Sequence, residues 1–157
     1  FSVISDWYHY AILELTFVSH FQSKPIWIAR KLNISVMEAK LGIARLLELK
    51  LLEWRNDRLV KTDQQIMTKD RDLTNLDLKK RQKQVLEKSL FSLENHPIET
   101  RNHTAMTMAI DPALIPEAKN RINNFMNELT TFLESGNQKN VYELTINLFS
   151  LEKETNL

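Results

Sequence analysis

Lys40 and Arg45 lie five residues apart in the first third of the chain, and Arg55, Arg58 and Lys61 follow closely. Cations so spaced can neutralise phosphates, and an arginine fork can grip a guanine edge in a major groove. The other reactive types fall short of a pattern. His9, His20, His96 and His103 match no metal-ligand spacing, and His9 sits among aromatics, where a structural role is expected. Cysteine is absent, which removes thiolate nucleophiles, thiolate metal sites and disulfides. With no glycine-rich phosphate loop and no serine or histidine in a nucleophile motif, neither catalysis nor a cofactor or metal is expected.

Composition bounds the scaffold that must carry these cations. The chain has 157 residues, 43% of them hydrophobic, enough for a core in one domain or two small ones. Only Gly42 and Gly136 are glycines, which favours long helices over many-stranded sheets. No apolar run approaches the roughly 18 residues of a membrane span, so a cytoplasmic protein is expected. The chain begins at Phe1 without methionine, which leaves room for a longer protein. Net charge is +1 overall, but residues 1–65 carry nine Lys or Arg against seven Asp or Glu, and residues 101–157 five against seven. Phosphate contacts are therefore expected in the N-terminal part.

Apolar spacing at Trp7, Ile12, Leu15 and Val18 predicts a first helix, capped at Ser5 or Asp6 and ending near His20. Ser23 and Pro25 open a second, which Asn33 and Ile34 break. Ser35 with Glu38 forms a capping box for a third helix running to about Leu49. Two extended runs, Leu51 to Arg55 and Arg58 to Thr62, are joined by Asn56-Asp57, a pair that tolerates the positive φ of a tight hairpin. Three helices and a hairpin in this order are the order of a winged helix-turn-helix. On that frame the DNA-facing candidates are Ser35, Met37, Lys40, Leu41 and Arg45 of the third helix and Arg55, Arg58 and Lys61 of the wing. Leu41, Ala44 and the glutamates 38 and 48 oppose the assignment, since they offer phosphate nothing or repel it.

Residues 64–75 are polar and read as a connection, followed by a helix from about Leu76 to Asn95 that His96-Pro97 stops. Its first half is basic, through Lys79, Lys80, Arg81 and Lys83, and reads first as a solvated helix face. His103 to Ile110 alternates as a strand, Pro116 to Glu134 is an amphipathic helix ended by Gly136, and Val141 to Phe149 is a second strand. Met106 and Met108 fill a core before they line an effector pocket. A strand, helix, strand order predicts a parallel crossover unit. Two strands leave long unpaired edges, so this half is expected to complete its sheet with a second copy, as a homodimer, the alternative being that it pairs with the N-terminal hairpin or with a missing segment.

The strings Trp7-Tyr8-His9 with Ala11-Ile12, Trp27-Ile28-Ala29, Leu46-Leu47 and Leu51-Leu52-Glu53 resemble those of an uncharacterised bacterial family, a domain of unknown function whose members are regarded as winged-helix transcriptional regulators. Arg101, His103, Met106-Thr107-Met108, Val141-Tyr142 and Leu148-Phe149 extend the resemblance over most of the chain. It supplies no ligand or catalytic residue. One departure is Lys50, where such regulators often place glycine as the third helix closes, at the cost of strain if the position is left-handed. The expectation is a mainly α chain with a small β component (α+β): a winged helix in 1–65, a linker and connecting helix in 66–99, and a strand-helix-strand dimerisation or sensor domain in 100–157. Its expected function is DNA-binding transcriptional regulation. The rival is a protein-interaction adaptor built on a degenerate winged helix that does not bind DNA.

Overall fold

A computed structural model of the protein describes residues 4–64 and 75–153. The chain is mainly helical with one small sheet: α1 (Trp7–Leu15), α2 (Pro25–Leu32), α3 (Val36–Glu48), β1 (Leu52–Arg55), β2 (Arg58–Lys61), α4 (Asn75–Asn95) and α5 (Ile115–Glu134). Two short 3-10 turns, Ile98–Thr100 and Pro112–Leu114, lie between α4 and α5. The fold divides into two compact units. One is Phe1–Ala105 with Asn137–Val141, and the other is Met106–Gly136 with Tyr142–Leu157. The connection expected over 64–75 lies largely outside the described residues.

The first unit is built on one dry cluster. Ile12, Leu13 and Leu15 of α1, Ile28 of α2, Leu46 of α3, Leu52 of β1 and Leu59 of β2 are its largest fully buried side chains. Each contributes about 1.5–3 kcal/mol by leaving water, so this cluster fixes how the three helices and the hairpin meet. α1 ends at Leu15, well short of His20, and the chain then turns through Thr16, whose hydroxyl donates to the Leu13 carbonyl at 2.7 Å. Gly42 is the point of closest approach of α3 to α1. A Cβ there would lie 2.9 Å from Ile12 Cδ1 and 3.4 Å from the Tyr8 ring, so a larger residue would oblige the Ile12 side chain to shift.

The local signals for helix ends are largely met. Asn33 closes α2 in the left-handed region, at φ 53° and ψ 48°, with the Ile34 amide donating to the Ala29 carbonyl at 3.0 Å. α3 closes in the same way: Lys50 N–H donates to the Leu47 carbonyl at 3.0 Å and Leu51 N–H to that of Leu46 at 2.9 Å. Lys50 itself stands at φ 59°, so the strain foreseen for a non-glycine residue there is present. Asn56 and Asp57 both have positive φ, 52° and 60°, and Arg55 faces Arg58, which makes a two-residue hairpin loop of the primed type.

Two caps differ from expectation. Asp6 precedes α1 without capping it, because its carboxylate is taken by Gln84 and Lys80 of α4. Ser23 leaves the cap position of α2 to Lys24, and its Oγ instead accepts the Leu59 amide of β2 at 2.9 Å, tying the hairpin to the helices.

α4 docks on α1. Lys80 Nζ lies 3.2 Å from the Asp6 carboxylate, Gln84 both donates to Asp6 at 2.9 Å and accepts the Trp7 amide at 2.8 Å, and Val85 is buried. Arg81 and Lys88 cover the rings of Tyr10 and Trp7, at 3.9 and 3.6 Å from their centres. Much of the basic stretch is therefore used in packing this helix against its own unit.

The strands expected at 103–110 and 141–149 do not form: among the described residues the sheet consists of β1 and β2 alone. Alternation dictates an extended backbone, but a strand also needs a neighbour to accept its amides, and neither segment has a ladder. No parallel crossover sheet follows from them. α5, by contrast, spans Ile115–Glu134 as the spacing predicts and stops just before Gly136.

Lys50→Gly should stabilise the protein by about 0.5–1 kcal/mol by relieving the left-handed backbone, whereas Gly42→Val should cost about 1–3 kcal/mol through overpacking against Ile12. Denaturant midpoints of the two variants check both, and opposite signs are expected.

Candidate nucleic-acid interface

α3 is positioned by its N-terminal cap and its buried stripe. Ser35 N–H donates to Glu38 Oε1 and Glu38 N–H to Ser35 Oγ, both at 3.0 Å, while Ala39, Gly42, Ile43 and Leu46 face the core. Ser35 is thus a cap, and the carboxylate of Glu38, which would otherwise repel phosphate, is folded back on the backbone. What α3 turns outward is Val36, Met37, Lys40, Leu41, Ala44 and the carboxylate of Glu48 near its end, with Met37 and Leu41 63% and 61% exposed.

The other candidates are not gathered with them. Arg45 is half-buried, and its positive charge acts on Tyr8 and His9 of α1. Arg55 pairs with Glu53 on its own strand. Arg58 donates to the Thr16 carbonyl at 3.3 Å and covers Phe21 at 5.4 Å, and Lys61 lies 3.6 Å from the Glu14 carboxylate and 5.5 Å from the centre of Phe17. Two of the three wing cations are turned toward the helices behind the hairpin. An exposed pair such as Arg55 with Glu53 contributes only about 0.2–1 kcal/mol, so a phosphate can compete for that arginine.

The structure adds cations that the sequence reading passed over. Lys24, at the cap position of α2, and Arg30 and Lys31 within it are exposed, and no ion pair among the described residues engages them. From Lys24 to Lys40 the chain carries four cations, counting Lys40, and the single carboxylate of Glu38, a local charge of +3. The available signal was their position: Arg30 and Lys31 occupy the last turn of α2, opposite the buried Ile28 and Ala29 and directly before the left-handed turn at Asn33.

Residues 1–151 match the model of the family described as Domain of unknown function (DUF4423). The chain belongs to that family. No curated protein and no solved structure matches it.

In this DUF4423 chain His96 and His103 serve local structure. His96 Nδ1 lies 2.9 Å from Ser92 Oγ, and His103 Nε2 donates to the Ser89 carbonyl at 3.1 Å, both along the end of α4. Among the described residues no group of three histidines or carboxylates converges as metal ligands would. No helix among them is long and apolar enough to cross a membrane.

His9 is different because it is buried behind α3. Its Nδ1 makes no hydrogen bond of normal geometry among the described residues. Burial holds its pKa below the ordinary histidine value, and the charge of Arg45 adds to this against the opposing pull of Asp6. Next to it, burial and the Asp6 charge push the Tyr8 hydroxyl up. Burial alone would raise the Asp6 carboxyl, but Gln84 and Lys80 bring it below the usual carboxylate range.

The sign for His9 follows from linkage. The folded chain refuses a proton that the unfolded chain accepts below about pH 6.5, so stability is greatest above that pH. It falls as the pH drops, until folded His9 itself is protonated. Urea midpoints measured from pH 7.5 down to pH 5 should therefore decline, and the decline should flatten in His9→Gln; equal slopes for the two proteins would contradict the buried neutral imidazole.

Proposed function

We propose that the first unit is a winged helix-turn-helix that binds duplex DNA and that the protein is a transcriptional regulator of the bacterial cytoplasm. One observation carries the reading: α2, the left-handed turn at Asn33 and the capped α3 present Lys24, Arg30, Lys31 and Lys40 to solvent, while the only carboxylate in that stretch is withdrawn. The hairpin directly after α3 supports it, since it occupies the place of a wing. In this arrangement the affinity comes from the cations around the turn, and Arg55 is the wing residue best placed to add to it. The role is binding rather than catalysis, and it calls for no cofactor.

The exposed Met37, Leu41 and Ala44 favour a second reading, in which α3 is the docking face of a protein-interaction adaptor. Salt separates the two, because neutralising phosphates releases counterions and an apolar contact does not. Fluorescence anisotropy with a random duplex should show log affinity falling linearly with log salt, with a slope of about −3 to −4 for four phosphate contacts. Lys31→Ala/Lys40→Ala should bring the slope about 2 units closer to zero, while Arg58→Ala should chiefly lower stability. Absence of binding at low salt by the folded wild-type protein would refute the DNA reading.

A further inference from the structure

The second unit has no core. Not one of its described residues is buried, although α5 is amphipathic and the flanking segments alternate apolar and polar residues. Met106, Phe132, Tyr142 and Phe149 are 81%, 71%, 71% and 73% exposed, and Met108, Ile110, Phe125, Leu133, Ile146, Leu148 and Leu151 join them. Summed over these side chains, the exposed apolar surface is on the order of 1,000 Å².

We infer that this unit is half of a domain completed by a second copy of the chain: segments 103–110 and 144–149 become strands by pairing with those of the partner, and α5 covers the joint sheet. Three features select a second copy as the occupant. What is missing is a ladder as well as apolar cover, so the partner must itself bring extended backbone with alternating side chains, and this chain carries two such segments. They also carry little charge, HTAMTMAI over 103–110 and VYELTINLF over 141–149 with Glu143 as its one carboxylate, so identical copies can lie side by side about a two-fold axis with little like-charge repulsion. Finally, the summed exposed apolar area is of the same order as the roughly 800 Å² that each partner of a stable complex buries. The inference stands apart from the DNA reading, since a dimer that ignores DNA would leave it intact.

The test is sedimentation equilibrium of the full chain at micromolar concentration, with hydrogen exchange on the same sample. The expected result is twice the single-chain mass of 18.5 kDa, with the amides of 104–109 and 144–149 exchanging about tenfold or more slower than an unstructured chain. Met108→Lys/Leu148→Lys should give a monomer that keeps the helical signal of the first unit, and Met37→Ser/Leu41→Ser should stay dimeric. A wild-type monomer would overturn the proposal, as would a dimer whose 104–109 and 144–149 amides exchange freely. So would a dimer that survives the first pair of substitutions and is lost in the second. Wild-type exchange keeps the test valid even if the lysine variant fails to fold.

Discussion

Exclusion of water from the cluster of Ile12, Ile28, Leu46, Leu52 and Leu59 is the interaction on which the rest of the first unit depends. Five elements each give it at least one side chain, and no two of them alone would bury what all five do together. Because α3 must bring Leu46 to this point, it approaches α1 so closely that a Cβ at 42 would press on the end of the Ile12 side chain. Because β1 must follow with Leu52 within a few residues, α3 has to close sharply, which forces Lys50 into the left-handed region. A cost of about 1 kcal/mol at Lys50 is sustained by a cluster several times stronger. The outward face of α3 is then a consequence: whatever is not drawn into the cluster is left facing solvent.

Around that core, cations are sorted by whether an acceptor or an aromatic ring lies within reach. Arg58, Lys61, Arg81 and Lys88 lie over rings on α1 or the loop after it, and Arg58, Lys61 and Lys80 each reach an acceptor on or beside α1. These contacts fasten the hairpin and α4 to the helical layer, with the aliphatic stems packed on apolar surface. Among the described residues, Lys24, Arg30, Lys31 and Lys40 have no such contact and stay in solvent. Local positive charge thus accumulates around one turn in a chain whose net charge is only +1.

How much of this could be read in the sequence follows the same division. Elements set by local rules were legible: the capping box at Ser35, the Asn56-Asp57 hairpin, the stop at His96-Pro97 and the strain at Lys50 each need only neighbours in sequence. The uses of Arg45, Arg58 and Lys61 were not, because a guanidinium or ammonium shows its charge in the sequence but not the distant ring or carbonyl that claims it. Ser23 and Asp6 look like caps for the same reason, and each serves a partner more than 30 residues away. Segments 103–110 and 141–149 mark the limit from the other side. Their alternation was legible, while a ladder is a property of two strands, and the second is not determined by the first.

The composition of α3 also bears on what kind of DNA contact the proposed reading admits. A groove-facing helix that specifies guanine does so with an arginine or lysine aimed at base edges. Here Arg45 is turned toward α1, which leaves Lys40 as the one outward cation of the helix, flanked by Met37, Leu41 and Ala44. Apolar side chains in a major groove meet the thymine methyl group. On the proposed reading, then, phosphates engage Lys24, Arg30 and Lys31, and base discrimination rests on thymine methyls with a single cationic contact. Affinity would be governed by salt, and sequence preference would be modest for one copy of the unit, because methyl contacts are individually weak. Two copies held by a shared second unit would multiply that preference, which gives the apolar face of α3 and the coreless second unit a common physical rationale.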